Sequence, residues 1–389
     1  MNKKDCRTRK RINTAQSFIK PNLSFPNINY KTNKELNNTV DTREISVPKN
    51  NIRVQHSHLK FTKTFLKNTK NIILERPLKK NDIVKHRVHK IEVKIKLKKL
   101  HSKYVTSLIT IKDKRIVTGG GDGSISICSI QFLFKKWKID VHKEHAHNGT
   151  INSLCDLNTN NRIVSGGFDK TVKIWTYTNN ELNLIYILKE HNDVVWKVIT
   201  LTNNRFASCS NGGTIRIYKN NKSYEEIIEL HHSKYLCSII QLNKKESLIA
   251  GSFSSFSVWN LMTYSKETHY IGFGPNLPNG IIELSNGHIA ISDRSSIIII
   301  DSDTYIVIKE IKLYNTSYSS ICMLDEYSFI YVYAGFFYQI YIKNFSILSK
   351  LLICGIDGVS GIISIDQNCF AIQNTFSGIS IVKPLYSEK

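Results

Sequence analysis

Ser165-Gly166-Gly167-Phe168-Asp169-Lys170-Thr171-Val172-Lys173-Ile174-Trp175 is the clearest copy of a pattern that returns seven times along this chain. A turn rich in Gly, Ser or Asp leads to a small residue, two alternating apolar positions and a closing aromatic or aliphatic residue. Laid over one another, the copies place Cys128, Trp175, Tyr218, Trp259, Ile300, Tyr341 and Val382 in one slot, at steps of 47, 43, 41, 41, 41 and 41 residues. A period of about 40 to 45 residues is that of stacked four-stranded units, which cannot bury their apolar faces alone. The repeat therefore predicts an all-β ring of seven blades before any single residue is read for chemistry.

The segments around this repeat agree with it. Within the second copy, strands are predicted at about 151–157, 162–165, 171–175 and 182–188, with Asn158-Thr159-Asn160-Asn161 supplying turn chemistry. Ahead of the first copy, Ile91, Val93, Ile95 and Leu97 alternate with Glu92, Lys94, Lys96 and Lys98, the period of a half-exposed strand. That strand has no blade of its own, and the last copy ends at Val382 with seven residues left. Residues 90–98 are therefore expected to close the seventh blade, their lysines guarding the exposed edge.

Charge divides the chain in a different way. Of the net +23, residues 1–100 carry 26 Lys plus Arg against 7 Asp plus Glu, or +19, and the other 289 residues carry only +4. Residues 1–89 lack the repeat and hold four of the seven prolines, so a mostly disordered arm is expected there, followed by a propeller over 90–389. Leu59, Phe65, Leu66, Ile72 and Ile73 could share one stripe of a short docking helix ended by Pro77. The cluster Lys3, Lys4, Arg7, Arg9, Lys10 and Arg11 has the composition of a nuclear address or a phosphate-contacting stretch, and a solvated tail is the plainer alternative. No stretch reaches the roughly 20 apolar residues of a membrane helix, and no apolar run follows the basic start as in a secretory signal. Eight scattered cysteines without a C-x-x-C pair read as reduced thiols of an intracellular protein, cytoplasmic or nuclear.

The spacing of histidines narrows the reading further. His101, His147, His191 and His232 precede their slot residues by 27, 28, 27 and 27 positions. With that spacing, residues 90–382 resemble the tryptophan-aspartate (WD) repeat family of β-propellers. The resemblance implies a hydrogen-bonded tetrad of His, Ser or Thr, Asp and Trp in each complete blade. Blade 2 alone has the full set, as His147, Ser165, Asp169 and Trp175. Blade 1 has His101, Thr118 and Asp122, with Cys128 for Trp; blade 3 has His191 and Ser208, with Gly212 at the acidic position. Blade 4 has His232 and Trp259, with Phe253 at the acidic position, and blades 5 to 7 match only by period and apolar alternation.

Ser165, His147 and Asp169 are also the residue types of a hydrolase triad, but no G-x-S-x-G elbow accompanies them, and the resemblance gives them a structural task. The Gly119–Gly123 turn lacks the G-K-[ST] of a phosphate loop and leads into a strand. His142, His145 and His147 sit in one loop without a cysteine partner, unlike a zinc site. No catalytic residue, metal or cofactor is expected. What the resemblance implies instead is a scaffold that binds partner proteins on one face, with Phe168, Trp196, Tyr104 and Tyr235 as rim aromatics suited to anchor them. The competing expectation is a component of an RNA-processing or chromatin assembly whose arm contacts phosphates or an acidic protein surface.

Overall fold

The computed structural model describes residues 87–386 apart from 134–135, 179–180, 233–234, 244, 253–254, 271–279, 293–295, 313–318, 334, 354–358, 367–368 and 375–377. The chain divides between Asn71 and Ile72, and the described residues all lie in the second unit. The basic cluster from Lys3 to Arg11, the stripe around Phe65 and the rest of the arm to residue 86 lie outside the described residues.

Those described form twenty-eight strands in seven antiparallel four-stranded sheets. Blade 2 runs Ile151–Asp156, Arg162–Gly167, Val172–Thr178 and Glu181–Leu188, from the innermost strand outward. The innermost strands follow one another around a ring, and the ring closes where Val359–Asp366 of blade 7 packs beside Val105–Thr110 of blade 1. The core lies between blades, as seven apolar clusters, one for each pair of neighbours. Trp175, for example, packs with Ile111, Val117 and Leu154 between blades 1 and 2. Each fully buried large apolar side chain contributes about 1.5–3 kcal/mol, so slabs of ten or so residues hold each blade to the next.

The last sheet takes its outer strand from the other end of the chain. Val88–Leu97 pairs antiparallel with Ile379–Tyr386, from Val88 opposite Tyr386 to Leu97 opposite Ile379. Alternation in the sequence suggested 90–98. The strand starts two residues earlier because a register shift between Val88 and Lys90 breaks the period of two that made the later part visible. Val88 is buried, and its N–H donates to Gln339 Oε1 at 2.9 Å while Ser349 Oγ donates to the Val88 carbonyl at 2.5 Å. The closing strand is thus fastened to blade 6 as well as to blade 7. Lys90, Lys94 and Lys96 stay exposed along its edge.

In six blades the slot residue of the repeat faces the preceding blade, but blade 6 departs from the even period. Ile340, not Tyr341, occupies the slot there: it packs with Ile297 and Ile299 of blade 5, and the outer strand bulges beside it as beside Trp175, Tyr218 and Ile300. Ile340 stands four residues past the first strand residue after its hairpin turn, Phe336, just as Trp259 stands four past Ser255 in blade 4.

A second periodic feature sits in the turns between third and fourth strands. Tyr224, Tyr264, Tyr305 and Phe345 all have φ between 51° and 56°, a left-handed conformation that is uncommon for bulky side chains. Asx caps hold the turns. Asp301 Oδ1 accepts from the N–H groups of Asp303 and Thr304 and from the Thr304 hydroxyl, and Asn260 Oδ1 accepts from those of Met262 and Thr263. The aromatic rings turn inward; Tyr224 packs 6.4 Å from Phe206, and Tyr305 lies 6.0 Å from Phe256.

Candidate functional site

Blade 2 shows what the repeated residues do. His147 enters from the loop before the blade, Ser165 comes from the second strand, Asp169 from the next turn and Trp175 from the third strand. The Trp175 indole N–H donates to Ser165 Oγ at 2.9 Å, the Ser165 hydroxyl meets His147 Nε2 at 2.7 Å, and His147 Nδ1 meets Asp169 Oδ1 at 2.8 Å. A carboxylate at Nδ1 fixes the proton there and leaves Nε2 to accept. Burial lowers the His147 pKa, only partly opposed by Asp169, so the ring stays neutral at neutral pH. Burial alone would raise Asp169; the bonds from His147 and from Thr171 outweigh it and hold the carboxyl far below its usual range. Every member is satisfied, and the hydroxyl that would be a nucleophile accepts from one ring while donating to the other.

The same plan is altered blade by blade. In blade 1, His101 Nε2 meets Thr118 Oγ1 at 2.7 Å and Nδ1 meets Asp122 Oδ1 at 3.1 Å, with Lys143 donating to Asp122 at 2.8 Å. Cys128 fills the indole's place; it is buried, and burial pushes its thiol up to about 12, so it acts as apolar filler. In blade 3, His191 Nε2 meets Ser208 at 2.6 Å, and Nδ1 reaches Thr214 Oγ1 at 3.1 Å. Gly212 is therefore not a simple loss of the acid: hydroxyls of Thr214 and Ser210, 2.8 Å apart, take over its region. In blade 4 the His232 and Trp259 rings lie 5.7 Å apart. Ala250 sits two residues past the strand partner of Trp259, as Ser165 sits two past that of Trp175, and so stands where the linking hydroxyl would be. Phe253 lies outside the described residues.

Two glycines beside the tetrads have a role that the sequence reading did not assign. A Cβ on Gly120 would lie 2.2 Å from His101 Nδ1, and one on Gly167 2.5 Å from His147 Nδ1. Only glycine lets the second strand pass that close to the imidazole. The repeated Gly-Gly ahead of Asp122 and Asp169 was the available signal.

The rim aromatics separate into two groups. Tyr104 and Phe168 are each 48% exposed, Tyr104 in the loop after His101 and Phe168 in the turn before Asp169. Their backbones are pinned: the Gly121 N–H donates to the Tyr104 carbonyl and the Phe168 N–H to the Thr150 carbonyl. Trp196 is half-buried, its indole N–H donating to Asn211 Oδ1 at 3.3 Å, and Tyr235 is half-buried with φ of 66°. Among the described residues no group of three or more His, Cys, Asp or Glu side chains could hold a metal ion. No helix among them is long and apolar enough to cross a membrane.

Comparison with known proteins bears on this geometry. The family model described as WD domain, G-beta repeat matches residues 139–176 and 182–219. The chain is a WD-repeat β-propeller. Both matched stretches begin in the outer strand of one blade and end at the third strand of the next, the same phase in which Val88–Leu97 supplies the outer strand of blade 7. The propeller is similar to a WD repeat-containing protein 55 homolog of Dictyostelium discoideum, 25% identical over 43% of this chain and 40% of that protein. It is also similar to a U3 snoRNP-associated protein-like protein, EMB2271, of Arabidopsis thaliana, 24% identical over 51% of this chain and 37% of that protein. Striatin-4 of Homo sapiens is 27% identical over 26% of this chain and 16% of its own length. The chain thus matches well under half of the length of each of these relatives. WD-repeat propellers generally mediate protein interactions.

Proposed function

We propose that this WD-repeat propeller is a non-catalytic, intracellular platform that holds partner proteins on its His-bearing face, with Phe168 and Tyr104 as anchors. One observation carries the reading: two large aromatics stand exposed, in the loop after His101 and the turn before Asp169, on backbone already fixed by cross-loop hydrogen bonds. Exposed aromatics on rigid backbone lose little freedom on binding, which is the character of interface hot spots. The tetrads beneath act as braces and do no chemistry. Phe168→Ala and Tyr104→Ala are expected to lower partner capture from native lysate at least ten-fold with the melting temperature unchanged. Loss of capture only in step with unfolding would refute the assignment.

A second reading is favoured by the +19 carried in the first hundred residues and by the likeness to a U3 snoRNP-associated protein-like protein. In it the arm contacts RNA phosphates while the ring holds proteins. Such binding falls steeply as salt rises. Retention on RNA at low salt, lost on removal of residues 1–85, supports this reading; no retention by the full chain excludes it.

A further inference from the structure

We propose that the outer strand of blade 2, Glu181–Leu188, is a docking edge to which an extended segment of a partner protein adds as a fifth strand. The inference is independent of the His-bearing face, since this edge lies on the outer wall of the ring.

The outer strands can be compared directly. A free strand edge presents unpaired N–H and C=O groups to any other chain, and proteins usually guard such edges with charge. Blade 1 has Asp140 and Lys143 there, blade 3 Glu226 and Glu229, and blade 4 Lys266 and Glu267. Blade 5 has Lys309 and Glu310, blade 6 Lys350, and blade 7 Lys90, Glu92, Lys94 and Lys96. Blade 2 has an exposed Glu181 at the first position of the strand and then Leu182-Asn183-Leu184-Ile185-Tyr186-Ile187-Leu188, seven residues without a charge. Four in succession, Leu184, Ile185, Tyr186 and Ile187, are 38–45% exposed. The bulge at Ile185 does not replace the missing guard, because blades 3, 5 and 6 have the same bulge and keep their charges.

Area and charge select the occupant. These four side chains leave roughly 300 Å² of apolar surface, the size of a functional patch on a monomer and well below the roughly 800 Å² per partner of a standard interface between folded proteins. A single strand of another protein fits that limit, with main-chain bonds supplying affinity and alternate side chains specificity. The chemistry of that strand can be read from the face towards blade 3. There Tyr186 lies 5.4 Å from Tyr224, and the Arg162 guanidinium sits 5.6 Å over the Tyr224 ring with no carboxylate partner among the described residues. The segment that fits is apolar at alternate positions with an Asp or Glu placed to meet Arg162.

A displayed library of random twelve-residue peptides, selected on the full chain and counter-selected on Ile185→Lys, tests this. Enriched peptides are expected to alternate apolar residues, to carry an acidic residue, and to slow amide exchange over 184–188 at least ten-fold. Their affinity should fall at least ten-fold in Tyr186→Lys and about three-fold in Arg162→Gln, and stay unchanged in Phe168→Ala, which separates this edge from the His-bearing face. The proposal is overturned if no peptide survives counter-selection, or if the survivors protect other amides. It is also overturned if sedimentation shows a dimer that Ile185→Lys dissolves, because the edge then belongs to a second copy of the chain.

Discussion

Gly167 passes so close to His147 that a single methyl group decides whether the blade 2 tetrad forms. With a Cβ 2.5 Å from Nδ1, either the ring or the strand must shift, and Gly167→Ala is expected to destabilise by about 1–3 kcal/mol in urea unfolding. An unchanged midpoint would mean that His147 is not held where its bonds to Ser165 and Asp169 require. The buried histidines also make stability depend on pH. Burial, reinforced by the charge of Arg216, lowers His191 to about 4 from 6.5. The folded value lies below the unfolded one, so the unfolded chain binds the extra proton: this stability is present above pH 6.5 and is lost as pH falls through 4, by up to about 3 kcal/mol. Melting temperatures measured from pH 7 to pH 4 should fall, and fall less steeply in His191→Asn. At this scale the sequence was partly legible. The 27- and 28-residue spacing pointed to His101, His147 and His191, each of which meets a hydroxyl of its blade's second strand, because a loop-to-strand distance is fixed by the blade. It did not reveal Thr214, Ser210 or Ala250, because exchanging one small residue for another leaves the spacing intact and changes only which atom meets the ring.

The turns with left-handed aromatics show elements that share a shape without sharing an obvious sequence. Asn260 to Tyr264 and Asp301 to Tyr305 span five residues each, capped at the first and turned inward at the last. The acceptor at the start holds two N–H groups, and the burial of the ring at the end offsets the backbone cost of about 1–2 kcal/mol. Asp301→Ala is expected to destabilise by about 1 kcal/mol and to speed amide exchange at Asp303 and Thr304, with a smaller effect elsewhere in blade 5. A global loss without local change would assign Asp301 another role. Strand alternation and turn residues made most strands readable, whereas this turn was hidden because its Asx cap and aromatic differ from blade to blade. The one-residue displacement of the slot in blade 6 was hidden because an even period places residues by count, whereas the slot belongs to whichever residue packs against the preceding blade, there Ile340.

At the scale of the molecule, a period near 41 residues and a spare strand at the start were sufficient for a seven-bladed ring, since stacked sheets bury apolar faces only by having a neighbour on each side. The matched repeats run from an outer strand into the next blade, and in the same phase Val88–Leu97 supplies the outer strand of the last sheet. The bonds from Val88 to Gln339 and Ser349 lay beyond sequence reasoning, because they join residues about 250 positions apart. They make the closure a joint of three elements, so that the ring depends on both ends of the propeller staying together. Glu92 and Lys383 are paired across that joint, both partly exposed. The most direct test is to place cysteines at both positions, Glu92→Cys with Lys383→Cys, oxidise the full-length protein and measure disulfide formation by mass spectrometry. A closed ring predicts an intramolecular disulfide between the two introduced thiols in nearly all molecules, and a raised melting temperature. Introduced thiols that stay reduced, or that link only between molecules, would contradict it.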